Sequence, residues 1–148
     1  MRCVRDGIVP IVAGFQGVNE KSPYMSLTTL GRGGSDTSAV ALAIATQSER
    51  CDFFTDVDGV YSADPRIVPK AKKLSQISFE EMMELASLGA KVLHMRCVEL
   101  GAKFKMPIQV LSSFRPEIPG TFIVGEDKML ESPVVSAVTA DSGESLLE

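Results

Sequence analysis

The 148-residue chain has one histidine and three cysteines, and both shortages exclude chemistry. Cys3, Cys51 and Cys97 have neither the spacing of a zinc site nor the pattern of a disulfide framework. Each lies in or beside an apolar stretch, so three reduced thiols of a cytosolic protein are expected. No cysteine has an obvious base beside it. No Ser-His-Asp set is possible beyond His94, and His94 with Cys97 on one helix face is too little for a metal site. No apolar run reaches the length of a membrane span. The start, Met1-Arg2-Cys3-Val4-Arg5-Asp6, lacks the apolar centre of a signal peptide. The formal net charge is −4, so neither nucleic acid nor a membrane surface is an expected partner. There is no internal repeat.

What is present is a folding sequence with one conspicuous loop. Hydrophobic residues make up 45%, which suits one ordinary domain with a real core rather than disorder. The run Leu30-Gly31-Arg32-Gly33-Gly34-Ser35-Asp36-Thr37 crowds three glycines into a turn just ahead of a helical pattern. Such a turn lets backbone N–H groups approach an anion, and the helix start adds partial positive charge. Arg32 supplies a cationic fork for carboxylate or phosphate. Asp36 supplies a carboxylate that could hold Mg²⁺ or orient a lysine, so the loop offers parts for an anionic substrate and a metal–phosphate cofactor. The same residues also fit a turn that only caps a helix. They do not form a P-loop, because the G-x-x-x-x-G-K-[ST] spacing is absent.

The rest of the chain alternates strand and helix patterns. Ile8 to Phe15 is a nearly continuous apolar run that reads as a buried strand. Asn19 to Tyr24 reads as a loop or hairpin tip, and Ser26 to Leu30 as a short return strand. A helix is expected from about Ser35, with Ala39, Leu42, Ala43 and Thr46 on one face. Cys51 to Val57 is β-rich and ends in Asp56-Val57-Asp58-Gly59, the kind of turn that closes an α/β strand at its ligand-binding edge. Residues 64 to 70 form an irregular loop. Ser78-Phe79-Glu80-Glu81 is a capping box opening a helix with Phe79, Met82, Met83 and Ala86 as its stripe, and Gly89 is placed to end it. A further helix is expected from about Lys91 to Phe104. Strands are expected at Met106 to Leu111 and Thr121 to Val124. Together these give an α/β fold with a mostly parallel sheet.

Three groups could meet at the carboxyl edge of that sheet. They are Arg32 to Asp36; Thr55, Asp56, Asp58 and Gly59; and Tyr61, Asp64 and Arg66, with Lys91 more remote. Carboxylates, arginines, a lysine and glycines together suit phosphoryl transfer, which runs on positioning and charge neutralisation. Each also has an ordinary reading. Asp56 to Gly59 fits a simple turn. Tyr61 fits packing, and Lys91 fits a solvated first helical turn. Lys70, Lys72 and Lys73 fit a solvated face or a place near phosphates.

At these residues the chain resembles the aspartate kinases of the amino acid kinase superfamily. The matching segments are Thr28-Thr29-Leu30-Gly31-Arg32-Gly33-Gly34-Ser35-Asp36, then Thr55-Asp56-Val57-Asp58-Gly59-Val60-Tyr61, then Asp64-Pro65-Arg66-Ile67-Val68. Glu80-Glu81-Met82 then leads into Leu85-Ala86-Ser87-Leu88-Gly89-Ala90-Lys91-Val92-Leu93. The resemblance implies a three-layer amino-acid-kinase-like sandwich. It implies transfer of the γ-phosphate of ATP, with Mg²⁺, to the side-chain carboxylate of L-aspartate, at the start of lysine, threonine and methionine synthesis. Arg32, Gly33, Gly34 and Ser35 resemble the aspartate-binding loop, and Asp36 the residue that organises phosphoryl transfer. Ser35, Thr55, Asp56, Tyr61, Asp64, Arg66, Ala90 and Lys91 resemble the nucleotide contacts. A homo-oligomer, in the first place a dimer, or a partner chain is expected.

The family opens with a Lys-Phe-Gly-Gly-Thr-Ser type segment that grips the phosphates, and these 148 residues contain no counterpart. Residues 1–124 accordingly read as the C-terminal part of a kinase domain. Residues 125–148 read as a linker and the start of an ACT-like regulatory segment, with Val134 to Val138 as its first strand. Two other readings stand beside this one. One is a non-catalytic nucleotide-binding or dimerisation module. The other is a kinase of another small acid, against which the Thr28 to Asp36 segment argues.

Overall fold

The computed structural model describes residues 2–21, 23–24, 26–90, 92–126 and 137–139. A four-residue helix, α1 (Arg2–Arg5), precedes a hairpin of β1 (Gln16–Asn19) and β2 (Ser26–Thr29). The hairpin is antiparallel with Gln16 opposite Thr29, and it leads into the glycine loop and α2 (Gly34–Ala45). Then follow β3 (Cys51–Thr55), β4 (Gln76–Ser78), α3 (Phe79–Ser87), α4 (Met95–Phe104), β5 (Ile108–Ser112) and β6 (Thr121–Val124).

The main sheet has the order β3-β5-β6-β4. β3 pairs with β5, and β4 with β6, in parallel; the central β5–β6 pair is antiparallel. This is the α/β, mostly parallel arrangement read from the sequence. In register, Cys51 lies opposite Ile108 and Ile108 opposite Ile123, so one face of the sheet presents a row of apolar side chains. Against that row pack Val40 and Ala43 of α2, Phe79, Met82 and Leu85 of α3, and Cys97 and Val98 of α4. Ile77, Met82, Val98, Ile108, Val110 and Ile123 are fully buried, and burial of that kind is the main driving term of the fold. On the other face of β3, Asp52 and Phe54 are exposed.

Local signals produce several elements as expected. The Ser78 hydroxyl accepts from the Glu81 N–H at 3.1 Å, and the Glu81 carboxylate accepts from the Ser78 N–H at 3.0 Å. That reciprocal cap lets the chain pass from β4 into α3 without an intervening residue. Gly89, at φ +96°, follows the end of α3.

Three expectations need correction. Residues 8–14 form no strand, and Ile8, Val9, Ile11 and Val12 are exposed, Ile11 at 98%. An apolar run becomes a buried strand only where a ladder partner and a covering layer meet it, and among the described residues neither does. The buried face of α2 centres on Val40 and Ala43, while Leu42 is exposed. The fourth helix begins at Met95, not near Lys91, because His94 is its N-cap. Lys91, the side chain of Cys3 and the expected strand from Val134 through Ser136 lie outside the described residues. Ala137 and Val138 are described and lie in no strand.

Candidate functional site

α2 and α4 return to the sheet through short turns, at residues 46–50 and 105–107. Their N-termini therefore lie toward the edge at which the parallel strands β3 and β5 end. A cleft of about 520 Å³ opens there, lined by Arg32, Gly33, Ser35, Asp36, Ala90 and His94, among others. Gly31 and Gly33 have φ of +75° and +71°, a conformation that side-chain-bearing residues resist. Gly33 is the N-cap of α2 and provides no side-chain cap, so the first N–H groups of the helix have no side-chain oxygen of their own in front of them. The Gly34 N–H is taken by the Gly31 carbonyl at 2.9 Å, which leaves the N–H groups that follow it placed to meet an anion.

Asp36 is held on two sides. The Ser35 hydroxyl donates to its Oδ1 at 3.2 Å, and the His94 backbone N–H donates to its Oδ2 at 3.4 Å. Arg32 is exposed and makes no ion pair among the described residues, so its fork is available to a ligand. The structure thus gathers Arg32, Gly33, Ser35, Asp36 and Ala90 at one cleft. Gly34 sits buried behind it, where a Cβ would lie 2.7 Å from Leu30.

A second cluster forms at the end of β3. The Thr55 carbonyl accepts from the Ser113 N–H and hydroxyl, both at 2.8 Å, which ties the ends of β3 and β5 together. Asp56 follows and is exposed. The chain then folds back over Thr121, which is fully buried. The Thr121 hydroxyl accepts from the Val60 N–H at 2.8 Å and donates to the Leu74 carbonyl at 2.6 Å. Gly59 is required beside it, since its φ is +145° and a Cβ would lie 2.6 Å from the Thr121 oxygen.

Asp58 is the electrostatic centre of this cluster. It accepts from the Tyr61 hydroxyl at 3.0 Å and lies 3.4 Å from Arg115 Nη2 and 3.8 Å from Lys73 Nζ. Partial burial first, and the Asp58 carboxylate second, push the Tyr61 phenol above its ordinary value. Asp64 and Arg66 form a fork at 2.7 and 3.0 Å. Hydrogen bonds from Arg66 hold the Asp64 carboxyl below its usual range. Among the described residues, no hydrogen bond or ion pair joins this cluster to the first cleft.

Several of these residues carried no signal in the sequence. Lys73, read there as one of a solvated or phosphate-facing group, is instead paired with Asp58 and donates to the Pro119 carbonyl at 2.7 Å. Arg115 and Thr121 reach the loop from more than fifty positions away, so no spacing pattern could reveal them. From the sequence, His94 offers a lone catalytic histidine or half of a pair with Cys97. It caps α4 instead, and no group of three or more potential metal-binding side chains occurs among the described residues.

Residues 1–112 match the amino acid kinase family. The chain belongs to that family. Among relatives of this amino acid kinase chain, an aspartokinase of Rickettsia bellii is 49% identical over 94% of the chain. An aspartate kinase of Pseudomonas putida is 51% identical over 97% of it. The chain spans about a third of the length of these relatives, 34% in each case. A crystal structure of E. coli aspartokinase III in complex with aspartate and ADP superposes with a TM-score of 0.74 and 41% identity, covering 84% of this chain and 27% of that one. No helix among the described residues is long and apolar enough to cross a membrane.

Proposed function

We propose that this chain carries the aspartate loop and most of the nucleotide surface of an aspartate kinase. The reaction is transfer of the ATP γ-phosphate to the side-chain carboxylate of L-aspartate, giving 4-phospho-L-aspartate. The observation that carries the reading is the first cleft. There an uncapped helix start, a free arginine fork and a carboxylate held on two sides converge. The aspartokinase III structure that this chain resembles over most of its length holds aspartate and ADP.

In this reading Arg32 takes a carboxylate of aspartate, the N–H groups of Gly33 and Ser35 complete its cradle, and Gly34 packs behind them, its N–H held by the Gly31 carbonyl. Asp36, oriented by Ser35 and His94, organises the transfer centre. Ser35, Thr55, Asp56, Tyr61, Asp64, Arg66, Ala90 and Lys91 contact the nucleotide. Mg²⁺ supplies charge neutralisation on the phosphates when bound. Such an ion is usually held by one or two carboxylates together with substrate phosphates and water. The protein acts in the cytoplasm, as a homodimer or with a partner chain.

Calorimetry with Mg·ATP, run beside a coupled ATP/aspartate assay, tests this. The 148 residues alone should bind nucleotide weakly and turn over negligibly, because they contain no phosphate-gripping lysine and glycine segment. Arg66→Ala should weaken binding by about 1–3 kcal/mol, the range for a charged hydrogen bond to phosphate. Absence of nucleotide binding at millimolar ATP would count against the site. Turnover near that of a full-length enzyme would show that another residue neutralises the transferring phosphate.

A further inference from the structure

The first turn of α4 is built against the glycine loop. The His94 backbone N–H reaches Asp36 Oδ2 at 3.4 Å, and Arg96 Nη1 donates to the Leu30 carbonyl at 2.9 Å. The loop is therefore gripped at both ends, at Leu30 and at Asp36. Between these grips the His94 ring lies on Gly33, so close that a Cβ there would fall 2.2 Å from a ring carbon. The ring's own position is also fixed. Its Nδ1 accepts from the Arg96 N–H at 3.3 Å, which is the N-cap bond of α4. The His94 carbonyl accepts from the N–H of Cys97 at 3.0 Å and from its thiol at 2.9 Å, and Cys97 is fully buried. One residue thus joins a helix start, the loop backbone and the wall of the cleft.

We propose that His94 is a positioning residue for the loop that carries Arg32, Ser35 and Asp36, and that its ring, with Nδ1 accepting the α4 cap bond, is what seats the loop at Gly33. An accepting Nδ1 must carry its lone pair, so the proton of the neutral ring sits on Nε2. A second proton can go only to Nδ1, where the Arg96 N–H already points. Two donors then face each other, the cap is lost, and the ring leaves its seat on Gly33. The charged groups around the ring are Asp36 on α2, Arg32 in the loop and Arg96 on α4. Describing this loop as the one that binds substrate rests on the aspartate kinase reading above; the coupling of ring to loop does not.

His94 is the only histidine, so a single imidazole reports on the coupling in the unmodified chain. Nitrogen NMR shifts of the ring should show a bare Nδ1 and a protonated Nε2 at neutral pH. In His94→Ala the amide resonances of Gly33 and Asp36 should move together with those of Arg96 and Cys97, and in His94→Asn those of Arg96 and Cys97 should stay near their original positions. His94→Asn, whose side-chain oxygen can replace Nδ1 as the cap, should keep the Arg96 amide protected. His94→Ala should speed hydrogen exchange at that amide by about fivefold, the equivalent of losing an ordinary N-cap. A ring protonated at Nδ1 at neutral pH, or loop amides that stay still in His94→Ala, overturns the proposal. Neither readout uses nucleotide or aspartate. A chain that binds neither ligand would sink the kinase reading and leave this coupling intact.

Discussion

Thr121→Val isolates one oxygen that holds the Val60–Leu74 segment to the sheet. Valine keeps the shape of the side chain and removes the hydroxyl. The Val60 N–H loses its acceptor at 2.8 Å and the Leu74 carbonyl loses its donor at 2.6 Å. Thr121 is fully buried and Val60 is 2% exposed, so water cannot replace the oxygen at the Val60 amide. Leaving a buried polar group unpaired costs about 1–3 kcal/mol. Leu74 is only half-buried, which puts its share at the low end, and the two together come to about 3 kcal/mol. For a chain of this length that corresponds to a fall in Tm of roughly 6–12 °C. Thr121→Ser is the control, because it keeps the oxygen and loses a methyl group, at a cost of about 1 kcal/mol. Urea titration and thermal melting of the three proteins read the order directly. If the valine variant is no less stable than the serine variant, the oxygen is not the tie described here.

Three further outcomes are expected. Burial pushes the Cys51 thiol up to about 11 and the Cys97 thiol to about 12, from an ordinary value of 9.0. The fold therefore favours the protonated thiols, and their contribution is complete below about pH 9 and lost as pH climbs through 11 to 12. Melting temperature should fall over that interval, less steeply in Cys97→Ala. Peptide mapping after alkylation at pH 8 should find Cys51 and Cys97 unmodified in the folded chain, and labelling of either would contradict their burial. The exposed run of Ile8, Val9, Ile11 and Val12, with Phe54 on the open edge strand β3, should make the chain associate as concentration rises. Light scattering that shows a monomer throughout the series, with a cooperative melt, would refute this.

The sequence was most legible where the cause of a structure lies within a few residues of its effect. The Ser78–Glu81 cap and the glycine turn into α2 both link groups at most four positions apart. Each could be read because the partners sit side by side in the chain. β4 could not, since three residues of Gln-Ile-Ser carry no period of their own and form a strand only because β6 is there to pair with them. Resemblance did more for the site than spacing did. It marked Arg32 to Asp36 and Thr55 to Arg66 as functional, but it was silent on what holds those segments in place.

The unread part of the site has a common physical character. His94, Arg96, Lys73, Arg115 and Thr121 all act across the fold, on partners in elements distant in sequence. Their work is to satisfy or neutralise a group that some other segment presents, so their identity follows from the packing and not from a local pattern. The segment at residues 8–14 shows the same dependence from the opposite side. Its composition states correctly that these side chains favour burial, yet composition cannot supply the edge and the layer that would bury them. Where those are missing among the described residues, the apolar run stays exposed, and the same physics that makes it a strand elsewhere is the reason association is expected of it here.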